Sequence, residues 1–161
     1  IDAYQDITIP FQMASREFFE QVALHLKPGG AIGVNMNMYT PDPDGINAHI
    51  QDTILEVFDN AYTVPAGSNL VLLASNSYDC QQRLNEMLPT VENQSLYLFM
   101  RRIADDMTRA KSTGRILTDD RAPVELLSIR VLDEMIEREL VSIRSQLSGM
   151  GLKELYELLT G

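Results

Sequence analysis

Carboxylates are the side chains of this sequence with the most chemical potential. Asp2 and Asp6 flank Tyr4 near the start, Asp119 and Asp120 stand side by side later, and 23 acidic residues face 13 basic ones. A carboxylate can hold a cation or accept a proton, and a formal charge of −10 suits a cationic ligand. The same charge serves solubility, and aspartate commonly caps turns and helices, so residue type alone leaves both roles open. Few other groups compete. Cys80 is the single cysteine; it follows Asp79, has no base near it in the sequence and reads as a bystander. His25 and His49, the two histidines, fall in helical stretches without partner spacing and read as structural. One Cys and two His cannot build a usual zinc site, so no metal is expected. The charge argues against non-specific binding to nucleic acid. A lone cysteine excludes an intrachain disulfide framework and fits a reducing compartment, so a cytoplasmic location is expected.

These carboxylates need elements to position them. With 45 % apolar and 22 % charged residues, the chain of 161 has the balance of a folded domain or part of one. No apolar run approaches the roughly 20 residues that span a bilayer, so this segment is expected to cross no membrane. The opening has no basic stretch, and no signal peptide is expected there. Ile1 to Tyr4 reads as the tail of a buried strand running into a loop through Asp6 and Pro10. Ser15 is a good N-cap, with Glu17 in the first turn and Phe18, Phe19, Val22 and Leu26 at helical spacing. Lys27-Pro28-Gly29-Gly30 should end that helix, with glycine as its left-handed cap. Residues 31–38 read as a strand whose first half is continuously apolar, as in a sheet covered on both faces. Ile46, Ile50, Ile54, Val57 and Phe58 mark a second amphipathic helix. Apolar runs at 61–64 and 69–75 around Pro65-Ala66-Gly67-Ser68 signal a hairpin with a turn of four residues.

Beyond Ser75 the pattern is helical: 78–88, then Leu96, Phe99, Ile103 and Met107, then a long helix from near Pro123. Asp119 and Asp120 suit the cap of that helix, with Arg121 and Glu125 adding local pairs. Ile129, Leu132, Ile136, Leu140, Ile143 and Leu147 form a stripe along it, which reads first as core and second as a dimer seam. Gly149 and Gly151 interrupt before a last short helix over 152–159. Met36, Met38, Met100, Met107 and Met135 read as packing. The order of strand end, helix, strand, helix, hairpin and helices argues for an α/β sheet of which only part is present.

Three segments carry a resemblance. Asp2-Ala3-Tyr4-Gln5-Asp6 with Pro10 and Ser15-Arg16-Glu17-Phe18-Phe19 is the first; Leu26-Lys27-Pro28-Gly29-Gly30 followed by a strand bearing Asn35 is the second. The third is Leu117-Thr118-Asp119-Asp120-Arg121-Ala122-Pro123-Val124-Glu125. Taken in order, they resemble spermidine synthases (polyamine aminopropyltransferases) and their bacterial relatives. The resemblance implies the C-terminal half of a class I S-adenosylmethionine-dependent methyltransferase (Rossmann-like) fold, with a β-hairpin edge and C-terminal helices. Residues 1–77 would be the sheet half and 78–161 a helical extension of the same structural unit. The family's glycine-rich cofactor loop and ribose-holding acidic residue would lie upstream of Asp2. Two departures bear on the substrate: Asp2 and Asp6 are spaced one residue wider than the common pattern, and no proline follows Asp6.

The chemistry implied is aminopropyl transfer from decarboxylated S-adenosylmethionine, as co-substrate, to a diamine such as putrescine. By the resemblance, Asp2 would orient and deprotonate the amine, Asp6 would pair with it, Tyr4 would line its aliphatic stretch, and Pro10 would contact the adenosyl side. A homodimer is expected, and this chain alone should be inactive. Two other readings stay open: a methyltransferase-like protein with another acceptor, and a non-catalytic helical dimerisation fragment.

Overall fold

A computed structural model describes Ile1 and residues 10–36, 44–120 and 124–148. Asp2, Tyr4 and Asp6 lie outside the described residues, as does the expected last helix over 152–159.

A 3-10 turn at Phe11–Met13 leads into α1, Arg16–His25. Ser15 is extended at the N-cap, and its Oγ accepts from the Phe18 N–H at 3.3 Å. That satisfies one of the orphan donors of the first turn. The helix stops sooner than the glycines suggest. Leu26 is already extended, and the Gly30 N–H donates to the Lys27 carbonyl at 2.8 Å, with Gly29 at φ +77°. Lys27-Pro28-Gly29-Gly30 is therefore a separate turn with Pro at its second and Gly at its third position, the type II signature. Pro28 disfavours helical backbone at Lys27, so the left-handed glycine belongs to the turn and not to a helix cap.

Strand β1, Ile32–Met36, follows. Ile32, Val34 and Met36 are buried while Gly33 is exposed, so its burial alternates. The apolar run is thus covered on one face, not on both as expected, because glycine needs no cover. Helix α2, Ile46–Val57, lays Ile46, Ile50 and Ile54 into the core, and Phe58 completes the stripe. Each such side chain stabilises by roughly 1.5–3 kcal/mol when fully buried. Strands β2, Asn60–Ala66, and β3, Asn69–Ser75, form the expected hairpin, but Pro65 and Ala66 continue β2, so the turn is Gly67-Ser68 alone. Gly67, at φ +66°, supplies the left-handed backbone that a two-residue hairpin turn requires.

Helix α3, Cys80–Met87, is capped by Asp79, and α4, Gln94–Asp106, by Asn93. Strand β4, Thr108–Arg109, then pairs with Tyr62 and Thr63 of β2. The sheet order is β1-β3-β2-β4, with every described pairing antiparallel. On the free edge of β1 the Ile1 amino group donates to the Gly33 carbonyl, and the Asn35 N–H donates to the Ile1 carbonyl at 3.0 Å. One residue bonded to two that flank Val34 is the parallel pattern; Ile1 itself is exposed, not buried as the expected strand tail would be, and the rest of that tail lies outside the described residues.

Helices α1 and α2 cover one face, closing Phe19, Val34, Ile50, Ile54 and Leu72 into the main core. On the other face lies a smaller cluster of Tyr62, Val64, Cys80 and Met107. Helix α5, Val124–Ser148, packs Leu127 against the main core near its start, then leaves it. Ile129, Ile136, Leu140 and Ile143 are exposed, so these members of its stripe are not core within this chain.

Candidate functional site

The topology brings several loops to one end of the sheet. β1 finishes at Met36, α1 immediately precedes it in the chain, and α2 starts at Ile46. Met36 pairs with Leu70, so the hairpin turn Gly67-Ser68 stands at the same end, and the Asn69 amide donates to Asn35 Oδ1 at 3.1 Å. This is the carboxyl end of β1, the side on which open parallel α/β sheets bind their ligands. Ile1 lies beside Val34 on the edge of β1, and Asp2 is the next residue in the chain. Of the residues assigned to the site from sequence, Pro10 is described. It is exposed, and its carbonyl accepts from the Met13 N–H at 2.8 Å, opening the turn that leads into α1.

A strap over residues 111–119 arrives at the same end. Asp52, only 1 % exposed on α2, accepts from the Thr113 N–H at 3.0 Å, the Thr113 hydroxyl at 2.6 Å and the Arg115 N–H at 2.9 Å. Burial opposes ionisation of this carboxyl. The Thr113 hydroxyl, the two N–H donors and the Arg115 charge outweigh that and hold it below the usual carboxylate range. Beside it Thr53 donates to the His49 carbonyl at 2.7 Å and accepts from the Leu117 N–H at 2.9 Å. The Gln51 amide donates to the Lys111 carbonyl at 3.0 Å, and Arg115 pairs with Asp44. Leu117 is buried in the main core; its carbonyl accepts from the Arg16 N–H at 2.8 Å. Finally the Asp119 N–H donates to Glu17 Oε2 at 3.0 Å.

The strap thus joins the middle of α2 to the first turn of α1. A cleft of about 370 Å³ opens there between Gln12, Glu17, Phe18, Gln21 and Asp119. The Glu17 carboxyl is held below its ordinary range, first by its own backbone N–H, against some desolvation, then by the Asp119 N–H and Arg16. The wall is therefore anionic and could face a cation. The capping role expected of Asp119 and Asp120 falls at residues 121–123, outside the described ones. Sequence reasoning missed Asp52 and Thr53. The signal available was Thr53, a polar residue at the spacing of the Ile46, Ile50 and Val57 stripe.

Other titratable groups are occupied structurally. Each histidine ring meets a carbonyl four residues back, His25 with Gln21 at 2.7 Å and His49 with Gly45 at 3.0 Å. Burial, and then the Asp79 charge, pushes the Cys80 thiol up, away from a reactive thiolate. On the α3 and α4 face, the Tyr62 hydroxyl donates to Asp79, Arg109 reaches Asp79 at 3.4 Å, and its guanidinium lies 5.8 Å from the Tyr62 ring centre. A groove of about 440 Å³ on that face is lined by apolar Val64, Val71, Leu73 and Ile103, and Arg102 and Asp106 at its rim pair at 3.5 Å. Among the described residues no cluster of His, Cys, Asp and Glu could hold a metal. Among them, too, no helix is long and apolar enough to cross a membrane.

No family model matches the chain. It is 38 % identical, over 170 residues covering 94 % of its length, to a protein of Bifidobacterium longum (strain NCC 2705) named probable polyamine aminopropyl transferase. The chain spans 38 % of that relative's length. With nearly the whole chain aligned at this identity, the chain is similar throughout its length to part of that probable polyamine aminopropyl transferase.

Proposed function

We propose that the intact protein transfers an aminopropyl group from decarboxylated S-adenosylmethionine to a diamine such as putrescine. The observation that carries the reading is Ile1 hydrogen-bonded in the parallel pattern along β1. It supports Asp2 as the residue leaving a strand at the ligand-binding end of an open sheet. The antiparallel hairpin beside β1 supports the C-terminal half of a methyltransferase-like fold, with 1–77 as the sheet half and 78–161 as its helical extension. The relative's name supports the transfer class.

The sulfonium of the co-substrate supplies a carbon already activated for displacement. Asp2 orients the diamine and takes a proton from its nitrogen. The nitrogen lone pair forms the new C–N bond, the C–S bond breaks, and its electrons stay on sulfur as the neutral thioether methylthioadenosine. Asp6 pairs with the amine as a cation, and Tyr4 lines its aliphatic stretch. Pro10, exposed ahead of α1, fits a contact to the adenosyl side. No metal or nucleic acid enters the reading, this segment crosses no membrane in it, and a cytoplasmic location is proposed. The exposed stripe of α5 supports a homodimer. This chain alone is expected to be inactive.

Assay of the intact protein with putrescine and the decarboxylated cofactor tests this. Asp2→Asn should lower turnover by roughly 10²–10⁴, the range for a lost general base. Asp6→Asn should instead raise KM for the diamine, since it removes ground-state pairing. Near-normal turnover in the Asp2 variant overturns the mechanism. Activity with S-adenosylmethionine and none with its decarboxylated form replaces it with methyl transfer.

A further inference from the structure

Asp52 presents an energetic oddity. A carboxylate 1 % exposed on a helix, beneath the strap and away from the Ile46, Ile50 and Ile54 stripe, is expensive, and an apolar residue of similar size would sit there at less cost. Nothing in the main core uses its charge. The Thr113 N–H, the Thr113 hydroxyl and the Arg115 N–H all donate to it. Residues 111–114 are exposed, so packing does not hold that part of the strap; these bonds do. Gly114, at φ +86°, turns the strap between the two anchored residues. Downstream the held segment delivers Leu117 to Thr53 and Arg16, and Asp119 to Glu17 at the cleft by α1. The residues just ahead of α1 in the sequence include Pro10 and the Asp2–Asp6 pair.

We infer that Asp52 is a positioning residue for amine binding: it fixes the strap that sets Asp119 and the anionic wall at the first turn of α1. The inference rests on the aminopropyl-transfer reading for its kinetic consequence. Freeing the strap displaces the wall without touching the reacting groups. Amine affinity should suffer before the chemical step, although small misplacements can also be costly in rate.

The test uses the intact protein and four variants. Asp52→Asn swaps an acceptor oxygen for an amide that faces N–H donors; Thr113→Val removes the hydroxyl bond alone; Thr113→Ser keeps it. Asp79→Asn disturbs a hydrogen-bonded carboxylate on the opposite face and controls for stability. Asp52→Asn should raise KM for putrescine about tenfold or more, with kcat changed less, and should speed hydrogen exchange at the Thr113 and Arg115 amides. Thr113→Val should shift both the same way but less, Thr113→Ser should stay near wild type, and Asp79→Asn should leave KM unchanged. Should Asp52→Asn not fold, Thr113→Val against Thr113→Ser decides. Equal KM in the Asp52 and Asp79 variants overturns the positioning role, and unchanged exchange at Thr113 and Arg115 overturns the anchor. Absence of transfer by the wild-type protein overturns the aminopropyl reading and the kinetic role with it; the exchange result still separates that failure from a failed anchor.

Discussion

Helices α2 and α5 carry the same kind of apolar pattern and meet opposite fates. Ile46, Ile50 and Ile54 on α2 recur every four residues and are 5 %, 1 % and 0 % exposed. Ile129, Ile136, Leu140 and Ile143 on α5 recur at threes, fours and sevens, yet Ile136 and Leu140 are 54 % and 59 % exposed. Periodicity specifies which face of a helix is apolar; it does not specify what covers that face. For α2 the cover is near in sequence, since β1 and the hairpin flank it and α1 packs alongside. For α5 no such neighbour follows among the described residues, and its stripe is left for another surface.

The largest expected effect sharpens this contrast. Ile54→Ala removes a side chain with no exposed surface from a core that can relax only partly. The unfolding free energy of the intact protein should drop by about 2–5 kcal/mol, read by denaturant titration. A loss under about 1 kcal/mol would mean that the site collapses easily and that α2 is not the keystone of the main core.

A smaller and pH-dependent effect tests the polar residue on the same helix. The Asp52 carboxyl is held below its usual range, so its ionised form contributes stability above the unfolded-state value near about 3.9. That contribution is lost as pH falls below there, through the lower folded-state value. The stability gap between wild type and Asp52→Asn should therefore be full near neutrality and shrink with acidification below about pH 4. A gap that stays constant down to pH 2 would show that the ionised form is not what the strap donors favour.

Much of the fold was legible where a local rule governs it. Ser15 announces a cap by residue type and receives its bond, and Gly67 announces a turn by needing positive φ. Where two local rules overlap, the sequence is ambiguous: Gly29 suits a helix cap as well as a turn, and Pro28 decides for the turn. Non-local pairing left less trace. Thr108 and Arg109 become a strand because β2 offers an edge, and nothing in two residues foretells that. Asp52 and Thr113 are 61 positions apart, so neither residue type nor spacing links them before the fold does. For the proposed site, Asp2, Tyr4 and Asp6 rest on family resemblance alone, because aspartate in a loop has the same local appearance whether it binds an amine or caps a turn.

The smallest expected effect on stability falls on α5, and it is the one that can break the comparison. Ile136→Ala trims a side chain that is already 54 % exposed. In the monomeric state it should change the unfolding free energy by no more than about 0.5 kcal/mol, the usual span for exposed positions. Self-association should respond more strongly. If α5 forms the seam of a homodimer, Ile136→Ala with Leu140→Ala removes apolar contacts at neighbouring turns, and sedimentation of the intact protein should show a weaker dimer while Ile54→Ala dimers persist at temperatures where the variant remains folded. A cost of several kcal/mol for Ile136→Ala at concentrations where the protein sediments as a monomer would give the opposite answer. The stripe would then be covered within the intact chain, and α2 and α5 would differ in which part of the protein covers them, not in whether they are covered.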